Sequence, residues 1–386
     1  MSNNIGCIGR RVIVVAAASL TVDAGVFAQQ SEIAKWDPNF AIQTAVVTNG
    51  VKWIDGKHLP IEGRAFDNVK HYYDRLPMGI TTNVNRGVIN MKYCTSGMLF
   101  RFATDSKKLD FKWTPFSSTL SMPHMPSTGM SGIDVYRWDA KKKRWMYVKT
   151  GIVKDKNGGT LSIPWTPGTP CLVNLPLYNG IWSFSLGIET NATVKALPPR
   201  ASGINKPVVF YGTSITQGGC CTRPGLAFVN RVGRDLDVPV VGLGFSGSGV
   251  MEFEMSEHIA RIDASCYVLD CLWNMGLSKK HSPTRSVEGN YERFIRNLRS
   301  NHPEVPIVMA EQCDVYMNGP CDKDRFIRRL YDKLVAEGWK NLVYLPKDEM
   351  YTGDLEGTVD GVHPNDIGME SMSKAFGKAV RQALHL

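Results

Sequence analysis

Residues 208–219 read V-V-F-Y-G-T-S-I-T-Q-G-G, an apolar run that stops at Gly212 and gives way to Thr213, Ser214 and a polar, glycine-rich stretch. Four apolar residues closed by a glycine predict a buried strand, and the glycine-rich tail predicts a tight turn at its C-terminal end. The turn delivers Ser214 to the edge where open α/β sheets bind ligands. The same rhythm continues downstream. Apolar runs at 238–243, 267–272, 307–310 and 342–345 alternate with helical patterns over 227–236, 251–262, 287–300, 323–337 and 368–384. Such alternation predicts a parallel sheet covered by helices on both faces, with right-handed crossovers.

Upstream the period changes to two. Leu109, Phe111 and Trp113 alternate with Asp110 and Lys112, and Phe100 and Phe102 flank Arg101. Residues 133–138 and 145–148 flank Lys141-Lys142-Lys143-Arg144 as strand, turn, strand. Trp36 to Thr193 is β-rich and punctuated by proline and glycine, which predicts a β-sandwich-like domain over 29–195. Residues 196–206, with two prolines and a glycine, form the expected linker, and the α/β domain fills 207–386.

Residues 1–28 carry Arg10 and Arg11, an apolar stretch from Val12 to Leu20, and Val26-Phe27-Ala28 before Gln29. This is the pattern of a secretory signal peptide, predicting cleavage near Ala28 and a secreted or periplasmic protein. The run is too short for a bilayer span of about 20 residues. The formal charge is +9; removing Arg10, Arg11 and Asp23 leaves 9 − 1 = +8. Export argues against nucleic acid as a partner. The basic run 141–144 is read as a solvated hairpin turn, the functional alternative being attraction to acidic glycans or a cell envelope. Export also permits disulfides. Cys313 and Cys321 flank a loop containing Asn318-Gly319-Pro320 and form the best candidate pair. Cys266 and Cys271 read as core residues, and Cys220-Cys221 as packed thiols or a tie for the serine loop. No C-x-x-C pair or histidine cluster suggests a metal.

Every candidate polar group falls just after a strand of the α/β domain, and such loops share one edge of a parallel sheet. Ser214 follows the first strand, Gly242–Gly249 the second, Trp273-Asn274 the third, and D-G-V-H (Asp360 to His363) the fifth. Serine needs a base to become a nucleophile, and histidine titrates near neutrality. His363 would be that base, and Asp360 would orient it. The tetrahedral oxyanion needs donors: the N–H groups of Ser214 and Gly247 and the side-chain amide of Asn274. His258 and His281 lack a carboxylate at comparable spacing and read as surface residues.

On these residues the chain resembles the SGNH (GDSL-type) hydrolases. Gly212-Thr213-Ser214 matches the nucleophile block, with threonine where many members have aspartate. Gly247 matches the glycine block. Asn274 matches the asparagine block without its usual flanking Gly-x and Asp, and Asp360–His363 matches D-x-x-H. Gly132-Ile133-Asp134-Val135-Tyr136 is similar to the G-x-D-L-Y motif of a β-domain that precedes bacterial members. The resemblance implies a three-layer αβα fold, a Ser214/His363/Asp360 triad and ester hydrolysis without a cofactor. In an exported two-domain chain it suggests deacetylation of an acylated glycan or small molecule, with Trp113, Trp138, Trp145 and Trp165 available to stack on sugars, though core packing accounts for most of them. A lipid acylhydrolase is the alternative, mildly disfavoured by the lack of a long apolar lid. A binding protein with a dead site is another. Gly242-x-Gly244-x-x-Gly247 also fits a dinucleotide pattern, but it follows the second strand rather than the first. The oligomeric state stays open.

Overall fold

The computed structural model describes residues 45–80, 84–277, 283–313, 320–354 and 356–386. The expected signal peptide, Trp36, His281 and Asn318-Gly319 lie outside the described residues.

The period-two region folds into two antiparallel sheets. One runs in the order Val46–Thr48, Val51–Asp55, Ile181–Glu189, Lys108–Pro115, Gly159–Pro164. The other runs Val194–Ala196, Leu99–Thr104, Pro170–Asn174, Ile133–Asp139, Arg144–Gly151, with Ile61–Glu62 beside Leu99–Thr104. Alternation aims Leu109, Phe111 and Trp113 inward to meet Phe100, Phe102, Val135 and Phe184 in one core. Trp113 and Trp165 are buried there; Trp138 and Trp145 stay half exposed.

The α/β region forms a five-stranded parallel sheet in the order Val240–Gly244, Val208–Gly212, Cys266–Asp270, Ile307–Ala310, Leu342–Leu345. Its first three strands are buried along their whole length, as both-face coverage requires. Phe253–Ile259, Val287–Asn301 and Asp322–Ala336 cover one face; Phe228–Asp235 and Asp366–Leu384 cover the other. The fold is three-layer αβα. The second strand starts at Val240, after Pro239, which has no N–H to give to a ladder. The third ends at Asp270 because Leu272–Asn274 curls into a 3₁₀ turn. Since Val208–Gly212 lies between the second and third strands, strand order reverses beside it. Ser214 therefore emerges at the topological switch point.

The two regions share cores. Phe66, Leu76 and Val88 pack with Val209, Leu243 and Phe245, while Met125, Met130 and Leu177 join Phe210, Ile215 and Phe228. Arg75, 1% exposed, sends its guanidinium across the boundary to the carbonyls of Gly242 (3.0 Å) and Gly244 (2.8 Å), and to Met91 (3.0 Å). Its centre sits 4.5 Å from the Phe245 ring. Burial lowers its pKa to about 10, so it stays protonated at neutral pH.

The expected Cys313–Cys321 disulfide is not formed. All the described cysteines are free. Cys313 Sγ turns beneath the sheet edge toward Asp270 Oδ1 (2.6 Å), while Cys321 caps the helix that starts at Asp322. Cys220, Cys221, Cys266 and Cys271 are buried. His258 is half buried rather than exposed. Among the described residues no helix is long and apolar enough to cross a membrane.

Replacing Arg75 with alanine strands the buried carbonyls of Gly242 and Gly244, while Met91 O keeps the N–H of Cys94. At about 1–3 kcal/mol per unsatisfied buried group, unfolding free energy should fall by about 2 kcal/mol or more in urea titrations. Arg75→Lys should recover little, because one ammonium cannot reproduce a planar fork. Wild-type stability for Arg75→Ala would refute the role.

Candidate active site

Ser214 opens a four-residue helix, Ser214–Gln217, that starts directly after the first parallel strand. Thr213 caps it: its hydroxyl accepts from Ile215 N (3.2 Å), while its own N–H donates to Thr216 Oγ1 (3.2 Å). Thr216 Oγ1 in turn donates to Asp270 Oδ2 at 2.6 Å. A hydroxyl thus ties the start of the serine turn to the end of the neighbouring strand.

The loop before the last helix meets this turn. Ser214 Oγ lies 2.9 Å from His363 Nε2, and His363 Nδ1 lies 2.7 Å from Asp360 Oδ2. The second oxygen of Asp360 accepts from the N–H groups of Val362 (3.0 Å) and His363 (2.7 Å), so one carboxylate fixes both the loop and the ring. Burial raises the pKa of Asp360, but the His363 N–H, the His363 ring and the Val362 N–H outweigh it and hold the carboxyl below its usual value. The ring and carboxylate are open to solvent, at 27% and 44% exposure, while Ser214 is 7% exposed.

The other two loops also converge. Gly247 sits in the turn after the second strand with φ +63°. Asn274 Nδ2 donates to the carbonyls of Phe245 and Gly249, both at a long 3.3 Å, so its amide holds the glycine loop. The glycines of the dinucleotide-like pattern have another use. A Cβ at Gly242 would meet the Gly97 backbone at 3.1 Å, and one at Gly244 would meet Gln217 N at 2.1 Å. These residues admit the N-terminal domain and the serine helix, and no helix begins until Phe253.

Sequence reasoning missed what the β-domain contributes. Tyr178 OH donates to Ser214 O (2.9 Å) and Ser96 Oγ to Gln217 O (2.8 Å), while within the α/β domain Gln217 Oε1 accepts from Ser246 N (3.0 Å). Exposed His124, from the same domain, has its ring 6.2 Å from that of His363. The motif at 132–136 has a physical role. Asp134, fully buried, accepts from Arg223 (2.9 Å) and Gly225 N (2.8 Å) in the segment after the serine helix, and from Asn174 (2.8 Å).

An α/β domain with a serine at its switch point, wired into a β-sandwich, defines the class. Residues 205–381 match the GDSL-like lipase/acylhydrolase family, and residues 51–194 match the N-terminal domain of SGNH-hydrolase-type esterases. The chain is an SGNH (GDSL-type) hydrolase carrying that β-domain. A putative GDSL-like lipase from Bacteroides ovatus shares 27% identity with a TM-score of 0.72, over 87% of this chain and 98% of that one. A salicylyl-acyltransferase from a tetracycline biosynthetic pathway has the same coverage of both chains at 17% identity and a TM-score of 0.68. A family two carbohydrate esterase from Cellvibrio japonicus does so at 14% and 0.53. No curated protein matches the chain in sequence.

Asp270 supplies a pH test of the architecture. Burial raises its pKa from 3.8 to about 7, against the lowering by its bonds with Cys313 and Thr216. Between those values the folded chain holds a proton that the unfolded chain has lost. Its contribution is complete below about pH 4, declines through about pH 7 and is flat above. Asp270→Asn should remove this part of the stability–pH curve measured by thermal melting. An unchanged slope in the variant would show that Asp270 is already ionised in the fold.

Proposed function

We propose that the chain is an exported serine esterase that removes short acyl groups, foremost acetyl, from carbohydrate. The observation that carries this reading is the hydrogen-bond chain from Ser214 Oγ through His363 to Asp360, at 2.9 and 2.7 Å. With Nδ1–H donated to Asp360, Nε2 takes the Ser214 proton as Oγ attacks the ester carbonyl. The oxyanion is received by the N–H groups of Ser214 and Gly247 and by the Asn274 amide, whose two long bonds it replaces with one short one. Collapse breaks the ester C–O bond. The alcohol leaves with the proton held by His363, and water activated by the same ring then frees the acid.

Support for a carbohydrate comes from the open His363–Asp360 edge, which suits an acyl group on a bulky chain. It comes also from the shared fold with family two carbohydrate esterases, one of which is described in complex with cellohexaose. The lack of a long apolar lid in the sequence favours short acyl groups. Export rests on the leader ending near Ala28.

A fluorophosphonate should label the wild type and not Ser214→Ala; absence of labelling in folded wild type would overturn the mechanism. Asp360→Asn should lower kcat by about 10³–10⁴-fold, and Asn274→Ala by about 10²–10³-fold. p-Nitrophenyl acetate should turn over faster than the octanoate. The reverse order would replace the acetyl reading with a longer acyl chain.

A further inference from the structure

The basic hairpin turn lies beside an interdomain groove. Strand Arg144–Gly151 leans against the helix Phe228–Asp235 and strand Ile133–Asp139 against the turn Pro224–Leu226, and between them opens a groove of about 460 Å³. That is within the range of small-ligand sites, about 300–1,000 Å³. The β-domain gives it aromatic faces. Trp138 and Trp145 pair across the strands at 5.6 Å and 70°, and Tyr147, 47% exposed, meets Tyr136 at 6.0 Å and 76°. Each domain adds cations: Lys143 and Arg144 from the hairpin, and Arg223, Arg231 and Arg234 from the segment after Ser214.

The charges do not cancel. Arg223 is paired with Asp134 and lies 4.1 Å from the Tyr147 ring; Arg231 is 3.7 Å from Glu370. Among the described residues, Lys143, Arg144 and Arg234 form no ion pair. Arg234 is half buried, lies 4.3 Å from the Tyr136 ring and spends one N–H on Asn230 O (3.3 Å). Two carboxylates reach the groove. Asp237 is taken up by Arg200 and Ala201 N, and Asp235 is flanked by Arg231 and Arg234.

We infer that this groove binds an acidic oligosaccharide, its sugar rings on Trp138, Trp145 and Tyr147 and its carboxylate or sulfate groups on Arg144 and Arg234. Tryptophan and tyrosine offer broad apolar faces with polar tips, suited to the CH faces and hydroxyls of a pyranose. Guanidinium groups match flat or tetrahedral oxyanions with paired N–H donors. The near-perpendicular rings of each aromatic pair give no run of parallel platforms for successive nucleobases, which favours a sugar over a nucleic acid. The inference goes beyond the esterase reading and does not depend on it, because binding requires no step at Ser214.

The test is calorimetric titration of the full chain bearing Ser214→Ala, so that hydrolysis cannot contribute. The probes are oligogalacturonate, a heparin-derived oligosaccharide, cellohexaose and a single-stranded oligonucleotide. One or both acidic oligosaccharides should bind and should weaken as salt rises; which one binds distinguishes carboxylate from sulfate. Cellohexaose should bind at least about tenfold more weakly, since a charge-assisted hydrogen bond is worth about that factor or more. Adding Arg234→Gln or Arg144→Gln should weaken binding by about tenfold, and Trp145→Ala should do likewise, with melting temperatures confirming folding. Lys142→Gln, on the same turn outside the groove lining, should leave binding unchanged. No acidic oligosaccharide bound at millimolar concentration, equal binding of cellohexaose, tighter binding of the oligonucleotide, or folded Arg→Gln variants with wild-type affinity would each overturn the inference.

Discussion

The 2.6 Å hydrogen bond from Thr216 to Asp270 is the constraint on which the serine turn depends. A strand that ends at a switch point must break sharply, and the backbone groups freed by the break need partners within the turn. Thr216 supplies one: its hydroxyl accepts from Thr213 N and donates a hydrogen bond to a carboxylate on the adjacent strand. The site therefore has two carboxylates in contrasting settings. Asp360 is open to solvent and held below its ordinary pKa by backbone and ring donors, so it is anionic beside His363. Asp270 is dry and raised, and its bonds go to a hydroxyl and a thiol. One is held against the His363 ring, the other holds a turn.

The second constraint is the interlock with the β-domain. The serine helix is only four residues long, and an isolated helix of that length is unstable in water. Its stability must come from packing. From outside the α/β domain, Tyr178 and Ser96 satisfy its backbone carbonyls, Leu177 O accepts from the Gln217 side chain, and Asp134 grips the segment that follows. Arg75 then fixes the second strand end by its carbonyls. The β-domain is thus part of the scaffold of the site, and removing it would expose Ile215 and Phe228 as well as these polar partners.

What the sequence revealed follows from what is local. The parallel strands were legible because burial on both faces demands consecutive apolar residues, and Leu109, Phe111 and Trp113 because one-sided burial demands alternation. Ser214, Gly247, Asn274, Asp360 and His363 could be grouped because strand ends of a parallel sheet share an edge. Contacts made by docking were not legible. Arg75 meets Gly242 across 167 residues, and nothing near Arg75 marks it as buried. Cys313 and Cys321 misled for the same reason: their spacing fits a staple, but spacing does not say which way a side chain points. Cys313 leaves its strand toward the core, while Cys321 stands at a helix start.

The groove shows how docking can change the meaning of a sequence feature. Lys141-Lys142-Lys143-Arg144 taken alone is a charged hairpin turn, and a charged turn needs no function. Packing sets Lys143 and Arg144 opposite Arg223, Arg231 and Arg234, which share a short segment and helix after Ser214. Five cations around aromatic rings repel one another unless counter-charges intervene. Asp134, Glu370 and Asp235 answer only part of that charge. A fold selected for stability alone gains nothing from a half-buried Arg234, since a cation partly withdrawn from water without a counter-charge carries a desolvation cost. The surplus has a physical rationale when an anion completes it, and the adjoining tryptophan and tyrosine faces narrow that anion to one carried on a ring.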